Sequence, residues 1–372
     1  MSIIKITHII TGLNMGGAET MLYKLLKYGD KKKYKFQVIS MMDEGIYGDK
    51  IKELGIEVIS LNMKQGRPSL KGFIKARKAI KNTDIIQTWM YHADLFGYLL
   101  YKTSKVKKLI WGIRQSSLNP KLLSRSTQLI IKLNSKLSKK VDTIVSCSIK
   151  AKKNHLIFGY SEKNMIVIPN GFEMELYKLD DEDKLRVGNI VNKSTSIPYI
   201  LHVGRWDIFK DHNNFLTALK HIKENKKKFH AVMVGENIDT NNIELMNLIE
   251  KYNLTNNVSL LGRRRDIPTL MSAADVFVSS SIEEGFPNVI GEAMACQTPC
   301  VVTDAGDSDY IVGDTGIVVP PRDSIALAEE IINIINKPQE LQRELGLKAR
   351  KRIKEEFDIL KISNQYENLY NI

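Results

Sequence analysis

Apolar positions along this chain gather into short runs, and between them apolar residues recur every three to four positions. Ile3 to Ile10 is one such run, broken at Thr11-Gly12-Leu13-Asn14-Met15-Gly16-Gly17 and followed by helical spacing from Ala18 to Lys27. The second half repeats this opening. Ile197 to Val203 reads as a strand, Gly204-Arg205-Trp206-Asp207 as a break, and Asn213 to Lys223 as a helix. Further strands are predicted at Phe36–Met41, Ile56–Leu61, Asp84–Trp89, Lys108–Ile113 and Thr143–Cys147, with helices at Ser69–Lys81 and Ala93–Lys102. The second half continues with strands at His230–Val234, Val258–Leu261, Val276–Ser279 and Cys300–Thr303, and helices at Asn242–Tyr252 and Pro268–Ala273. Strands alternating with helices predict α/β domains with parallel sheets. A strand, a glycine turn and a helix opening each half is a Rossmann-like start made twice.

The seam between the halves falls at Pro169-Asn170-Gly171-Phe172 and runs into a polar stretch through Ser196 that carries Asp180-Asp181-Glu182-Asp183. This gives a first domain over 1–171, a second over 172–356, and one terminal amphipathic helix over 357–372. Residues 119–141 read as a basic helix with Leu122, Leu129, Leu133 and Leu137 on one face. Lys121, Arg125, Lys132, Lys136, Lys139 and Lys140 stand elsewhere around it. That helix either packs on the first sheet, or lies on an anionic membrane, or does both.

The 372 residues suffice for two domains of ordinary size. Hydrophobic content of 43% and charged content of 26% fit a globular protein in water. No apolar stretch reaches the ~18 residues that cross a bilayer, and no basic segment precedes a long apolar one at the start. Three cysteines, Cys147, Cys296 and Cys300, are odd in number and sparse, which suits a reducing cytoplasm. Cys296 and Cys300 stand four apart, but Pro299 breaks any helix there, so buried thiols are the expectation. The net charge of +13 is uneven. Residues 1–170 hold 31 basic against 11 acidic residues, a balance of +20, and 171–372 hold 24 against 31, a balance of −7. The first half is therefore expected to meet an anionic surface. No recognition motif or aromatic–basic interleaving supports nucleic acid. The cytoplasmic face of a membrane and a merely solvated lysine-rich surface both remain open.

The densest chemistry lies in Ser281-Ile282-Glu283-Glu284-Gly285-Phe286-Pro287-Asn288-Val289-Ile290-Gly291-Glu292. Pro287 suits a first helical position. The N–H groups of Asn288, Val289 and Ile290 would then point out of the helix start and favour an anion. Glu284 before the turn and Glu292 about one turn into the helix would flank that anion, which suits a ligand with phosphates and hydroxyls. Arg205 and Lys210, five apart after a strand, both reach a diphosphate from the carboxyl edge of a sheet, the arginine as a fork and the lysine as a mobile charge. Gly16 and Gly17 before a helix would let backbone approach a ligand closely. Asp307-Ser308-Asp309 looks like a metal-binding pair of acids. With Arg205, Lys210 and a helix start supplying positive charge, a metal is dispensable and no cofactor is expected.

Together these residues resemble glycosyltransferase family 4, whose members transfer sugars with retention and have the GT-B fold, two Rossmann-like domains facing across a cleft. The resemblance spans nearly the whole chain. Its strongest element is Glu284 to Glu292 within Glu-Gly-Phe-Pro and Glu-Ala-Met-Ala. Gly16-Gly17-Ala18-Glu19, Ile168-Pro169-Asn170-Gly171, Val203-Gly204-Arg205 with Lys210, and Leu261-Gly262-Arg263 also match. The chain departs at Lys210-Asp211, where the family often has Lys-Gly, and at Cys296-Gln297-Thr298-Pro299-Cys300, where it often has Cys-Gly-Thr-Pro-Val.

The resemblance implies roles. Glu284 and the backbone of Gly285, Phe286, Pro287 and Asn288 meet the sugar, Glu292 the ribose hydroxyls, and Arg263 the base, with Val289 at the helix start. His92, after the strand ending at Trp89, would contact the transferred sugar or lie near the acceptor; spacing alone equally suits a capping or core histidine. The final helix would cross back to the first domain. The donor would be a nucleoside-diphosphate sugar, with uridine the family habit, and the acceptor a glycan or lipid-linked glycan of a surface polysaccharide. Retention implies front-face transfer in which the leaving phosphate takes the acceptor's proton, with double displacement through Glu284 as the competing scheme. A sugar-nucleotide 2-epimerase and a non-catalytic nucleotide-sugar-binding subunit are the alternatives.

Overall fold

The computed structural model describes residues 3–64, 67, 69–118, 120 and 123–371. It divides into two units, one holding residues up to Gly171 together with Ile359 onward, the other Phe172–Asp358.

The first unit carries strands β1 (Ile4–Ile10), β2 (Tyr34–Ser40), β3 (Glu57–Ser60), β4 (Ile85–Trp89), β5 (Lys108–Ile113), β6 (Thr143–Ser146) and β7 (Met165–Val167). They form one sheet in the order β3-β2-β1-β4-β5-β6-β7, all paired in parallel. Its helices are α1 (Gly17–Tyr28), α2 (Gly45–Glu53), α3 (Leu70–Ala79), α4 (Tyr91–Lys102), α5 (Arg125–Leu137) and α6 (Ile149–Phe158). Every residue of β4 is buried, because helices cover both faces of a parallel sheet; its sequence is correspondingly not alternating. One core packs β1 against α1, with Ile6, Leu22 and Leu26. The other packs Phe96 of α4, Ile131 of α5 and Ala151 of α6 against Trp111 of β5.

The second unit carries α7 (Asp183–Val191), β8 (Tyr199–Val203), α8 (His212–Glu224), β9 (His230–Val234), α9 (Ile243–Lys251), β10 (Val258–Leu260), α10 (Ile267–Ala273) and β11 (Val276–Ser279). It continues with α11 (Asn288–Ala295), β12 (Cys300–Thr303), α12 (Ser308–Val312), β13 (Ile317–Val319), α13 (Ser324–Ile335) and α14 (Gln339–Phe357). The sheet order is β10-β9-β8-β11-β12-β13, again parallel. In both sheets the strand order reverses beside the first strand of the unit, between β1 and β4 and between β8 and β11. Open parallel sheets take ligands at the carboxyl ends of such a pair.

Three expectations change. The stretch through Ser196 is not a plain linker, since α7 forms within it and packs on α10. Its acidic run is neutralised locally: Arg186 bonds Asp180, Glu182 and Asp183, and carboxylates favour a helix start. The terminal helix does not begin at Phe357. That residue ends α14, fully buried against Phe172 and Phe286, and α15 (Ile359–Asn368) follows the extended Asp358. α15 packs on α1, and its Tyr366 stacks on Trp89 with ring centroids 6.4 Å apart.

The third change concerns α5. Ile131, Asn134, Ser135 and Ser138 face inward, whereas Leu129 is 68% and Leu133 41% exposed. The leucine face read from the sequence is therefore split: Leu129 and Leu133 point outward, because Ile131 fills the inward position that they flank, while Leu137 is partly buried against the core. The helix starts at Arg125 and gives way to a 3-10 turn at Ser138–Lys140. The expected Leu122, Lys121 and residue 119 lie outside the described residues.

Candidate active site

The loops that follow β8 and β11 carry the chemistry of the second unit, and their strands are neighbours at the reversal point. That adjacency brings together residues 74 positions apart. The Nζ of Lys210 donates to Glu284 Oε1 at 2.6 Å, with side chains 21% and 15% exposed. Ser281 Oγ donates to the same oxygen at 2.8 Å.

The loop after β8 is shaped by its own polar residues. Asp207 accepts the Phe209 N–H at 2.9 Å and opens the 3-10 turn Ile208–Lys210. Asp211 adopts φ +45, the left-handed region that favours glycine, and its side chain caps α8 through the Asn214 N–H at 3.2 Å. This accounts for the departure from Lys-Gly: the aspartate tolerates the conformation and contributes a cap. Ser280 Oγ donates to Lys210 O at 2.7 Å, and the Ile282 N–H donates to Phe209 O at 2.8 Å, so the two loops are tied backbone to backbone. Neither serine was assigned a role from sequence, although both flank the expected motif.

Near Lys210 lies a cluster of tilted rings. His202 and His212 are 4.8 Å apart by centroids, His202 and Phe215 4.8 Å, and Trp206 and His212 4.9 Å. Burial pushes the His212 pKa down to about 4 and that of His202 well below its ordinary value, so both rings are neutral and repel no cation near them.

Arg205 behaves differently. It is 66% exposed, and its Nε and Nη2 reach Asp207 Oδ2 at 3.0 and 2.9 Å. Its guanidinium stands at the carboxyl edge of β8, already half-satisfied by a neighbour. Gly235, at the end of β9, is needed beside it: a Cβ there would sit 2.1 Å from Gly204 O. Arg263, after β10, is 55% exposed and pairs with Glu236 at 2.8 Å.

Pro287 stands one position earlier than expected. It is the N-cap, and α11 begins at Asn288. Ile290 is also withdrawn from the expected anion-facing set, since its N–H donates to Pro287 O at 3.2 Å; the first turn is tight. Asn288 and Val289 remain at the helix start, half-buried. Gly285 is fixed from below by the Asp307 N–H, which donates to Gly285 O at 3.1 Å. Gly306, at φ +63, lies so close that a Cβ would meet Glu284 O at 2.5 Å and Gly285 O at 2.6 Å. No local signal in the sequence singles out Gly306, because the residues it meets lie 21 and 22 positions earlier in the chain.

Phe286 is buried and packs on Phe172 and Phe357, with centroids 6.2 and 5.9 Å away. Glu292 is half-buried on α11 near Tyr177, whose phenol is pushed up by burial and by that carboxylate. Arg350 of α14 holds the Tyr177 segment in place, donating to Tyr177 O at 2.6 Å, to Met174 O at 3.0 Å and to Ala295 O. Tyr177 and Arg350 were both missed from sequence, since each meets its partners across a long stretch of chain.

Asp307 and Asp309 do not form a pair. Asp307 is buried while Asp309 is exposed, and among the described residues no three His, Cys, Asp or Glu side chains cluster as metal ligands. Cys296 and Cys300 are buried thiols pushed up by burial.

In the first unit, the residues of interest again follow the reversal pair. Gly16 is the N-cap of α1 and Gly17 its first residue. Gly16 has φ −173, which any residue adopts, and a Cβ there would meet only the movable Glu19 carboxylate. His92 lies in the first turn of α4, half-buried, with its pKa lowered by burial. The residue before that helix, Met90, has φ +75, strained for a side chain of its size.

Residues 15–176 match the family described as Glycosyltransferase Family 4, and residues 186–352 the one described as Glycosyl transferases group 1. EpsF of Bacillus subtilis (strain 168), which carries the name glycosyltransferase, is 27% identical over 313 residues, 81% of this chain and 79% of that protein. An N,N'-diacetylbacillosaminyl-diphospho-undecaprenol alpha-1,3-N-acetylgalactosaminyltransferase of Campylobacter jejuni is 24% identical over 383 residues, covering 96% of this chain and 97% of that protein. The crystal structure of Anabaena HepE in complex with UDP superposes with a TM-score of 0.86 at 23% identity, covering 98% of this chain and 99% of that one. With both units matched, one after the other along nearly its full length, the chain belongs to glycosyltransferase family 4, the group 1 glycosyl transferases of the GT-B fold.

Proposed function

We propose that this protein transfers a hexose or N-acetylhexosamine from a UDP-sugar to a lipid-linked glycan, with retention, at the inner face of the cell membrane. The observation that carries the reading is the Lys210–Glu284 pair, braced by Ser281 beside the start of α11. A mobile cation and a helix start suit a diphosphate, and a carboxylate next to them suits sugar hydroxyls. When a diphosphate arrives, Lys210 turns its charge to the leaving group and Glu284 becomes available to the sugar. Donors fixed in place before charge develops are worth about 3 kcal/mol each in comparable sites. Arg205 adds charge from the open edge, and Arg263 and Glu292 receive the nucleoside. Gly16, Gly17 and His92 stand for the acceptor side. The uridine donor draws support from the UDP complex of HepE, and the lipid-linked acceptor from the undecaprenol-linked substrate in the Campylobacter enzyme's name.

The pairing supports front-face transfer: Lys210 and Ser281 both donate to Oε1 of Glu284 in the resting site, which suits a carboxylate that accepts hydrogen bonds from sugar hydroxyls more than one aimed as a nucleophile. The phosphate that leaves then takes the acceptor's proton. No metal is needed for this charge balance.

The test is incubation with a panel of nucleotide sugars and undecaprenyl-diphosphate glycans, with and without EDTA, scored by mass spectrometry and by NMR of the new anomeric centre. The expected product carries an axial linkage from an axial donor and forms in EDTA. An inverted anomer, or strict dependence on added Mg²⁺ or Mn²⁺, overturns the mechanism. Epimerised donor without acceptor identifies a 2-epimerase, and donor binding without turnover a binding subunit; either overturns the activity.

A further inference from the structure

α4, α5 and α6 cover one face of the first unit's sheet, and their inward residues form a single core. Their outward residues are less expected. Leu129 and Leu133 of α5 stand one helical turn apart, 68% and 41% exposed. Arg125, Lys132 and Lys136 share that outward face, at spacings of three, four and seven. At the end of α6, Ile157 and Phe158 are 78% and 41% exposed, with Lys153 one turn before Ile157. The ends of α5 and α6 are joined: the Ser161 N–H donates to Ser138 Oγ at 2.9 Å and Asn164 Nδ2 to Ser138 O at 2.9 Å. Between Leu123 and Lys163 the chain holds nine Lys and Arg against two acidic residues, Asp142 and Glu162. Among the described residues, none of Arg125, Lys132, Lys136 and Lys153 forms an ion pair.

We infer that this outward face of α5 and α6 is a docking surface for a bilayer bearing anionic headgroups. The chemistry selects that occupant. Large apolar side chains ringed by long basic ones match a boundary where acyl chains lie under negative charge, with the lysine stems lying along the apolar layer and their ammonium groups at the headgroups. A second copy of the same face would set like charges against each other. The inference deepens the membrane-facing part of the reading above, and its test measures binding, so that either can fail alone.

The full chain is mixed with vesicles of phosphatidylglycerol and phosphatidylcholine, or of phosphatidylcholine alone, and sedimented. Expected is partitioning at least tenfold stronger to the anionic vesicles, weakening severalfold between 0.1 and 0.5 M salt. Leu129→Ser with Leu133→Ser should lower it about tenfold, as should Lys132→Gln with Lys136→Gln. Leu347→Ser, an exposed leucine in α14 of the other unit, should leave it unchanged. Circular-dichroism melts confirm that each variant is folded, and transfer to a short water-soluble acceptor should stay at the wild-type rate. Equal binding to both vesicle types, no binding by the wild type, or wild-type binding by both paired variants overturns the inference.

Discussion

Lys210 and Glu284 are joined at 2.6 Å although they belong to loops after different strands, and both side chains are mostly shielded from water. The ion pair ties the two loops together, and in the reaction proposed above a diphosphate would have to draw the lysine away from the carboxylate. Because the pair is one unit, removing either member takes the opposite charge away from a partner mostly shielded from water.

Lys210→Ala should therefore lower kcat by about 10²–10³-fold, the scale of a lost pre-aimed donor. Arg205→Ala should cost less, about tenfold, because Arg205 is largely exposed and its charge is screened. Steady-state rates with a saturating donor check both. Equal, small losses in the two variants would place the diphosphate elsewhere.

Gly306→Ala introduces a Cβ about 2.5 Å from the carbonyls of Glu284 and Gly285, at a left-handed φ. The turn has to move, so donor KM should rise at least tenfold, and stability should fall by roughly 1–3 kcal/mol. Isothermal titration with UDP and a urea melt measure the two effects. Unchanged UDP affinity would show that the turn does not meet the donor.

Tyr177→Phe removes the hydroxyl near Glu292 and keeps the ring. If Glu292 receives the ribose, donor KM should rise a few-fold with kcat nearly unchanged, since the interaction serves binding before and during transfer alike. A kcat effect without a KM effect would assign Glu292 to the chemical step.

Acid should destabilise the fold through its buried histidines. His155 bonds Tyr91 Oη through Nε2 at 3.0 Å and Ala151 O through Nδ1 at 2.7 Å, and burial lowers its pKa to about 4. Its folded pKa lies below the unfolded value, so between about 6.5 and 4 the denatured chain binds more protons and stability falls as pH falls. The site should lose on the order of 2 kcal/mol by pH 4.5. His155→Gln should narrow the melting-temperature gap between pH 7.5 and 4.5 relative to wild type. An unchanged gap would mean that His155 is already charged in the fold.

Much of this was legible along the chain. The strands predicted at Lys108–Ile113, His230–Val234 and Cys300–Thr303 form at those limits, because a strand buried on both faces is a continuous apolar run that pattern alone reveals. Two three-residue edge strands, Met165–Val167 and Ile317–Val319, escaped, since so short an apolar run carries little pattern; the equally short Val258–Leu260 was read. Leu129 and Leu133 had the right spacing for a packed helix face, yet Ile131 occupies the inward position and the leucines point out. Periodicity identifies a face; it does not say which of two faces meets the sheet.

The order of amino acids by itself determined the alternation of strands and helices, the two halves, and the residue types that a sugar nucleotide needs, since each depends on neighbours within a few positions. Only the tertiary structure decided that Ser281 and Lys210 share one oxygen of Glu284, that Gly306 presses on the turn below, and that Tyr177 lies near Glu292. Those contacts depend on which strands lie side by side and which way each helix turns. Both are settled by packing the whole sheet, where no stretch of local sequence carries the information.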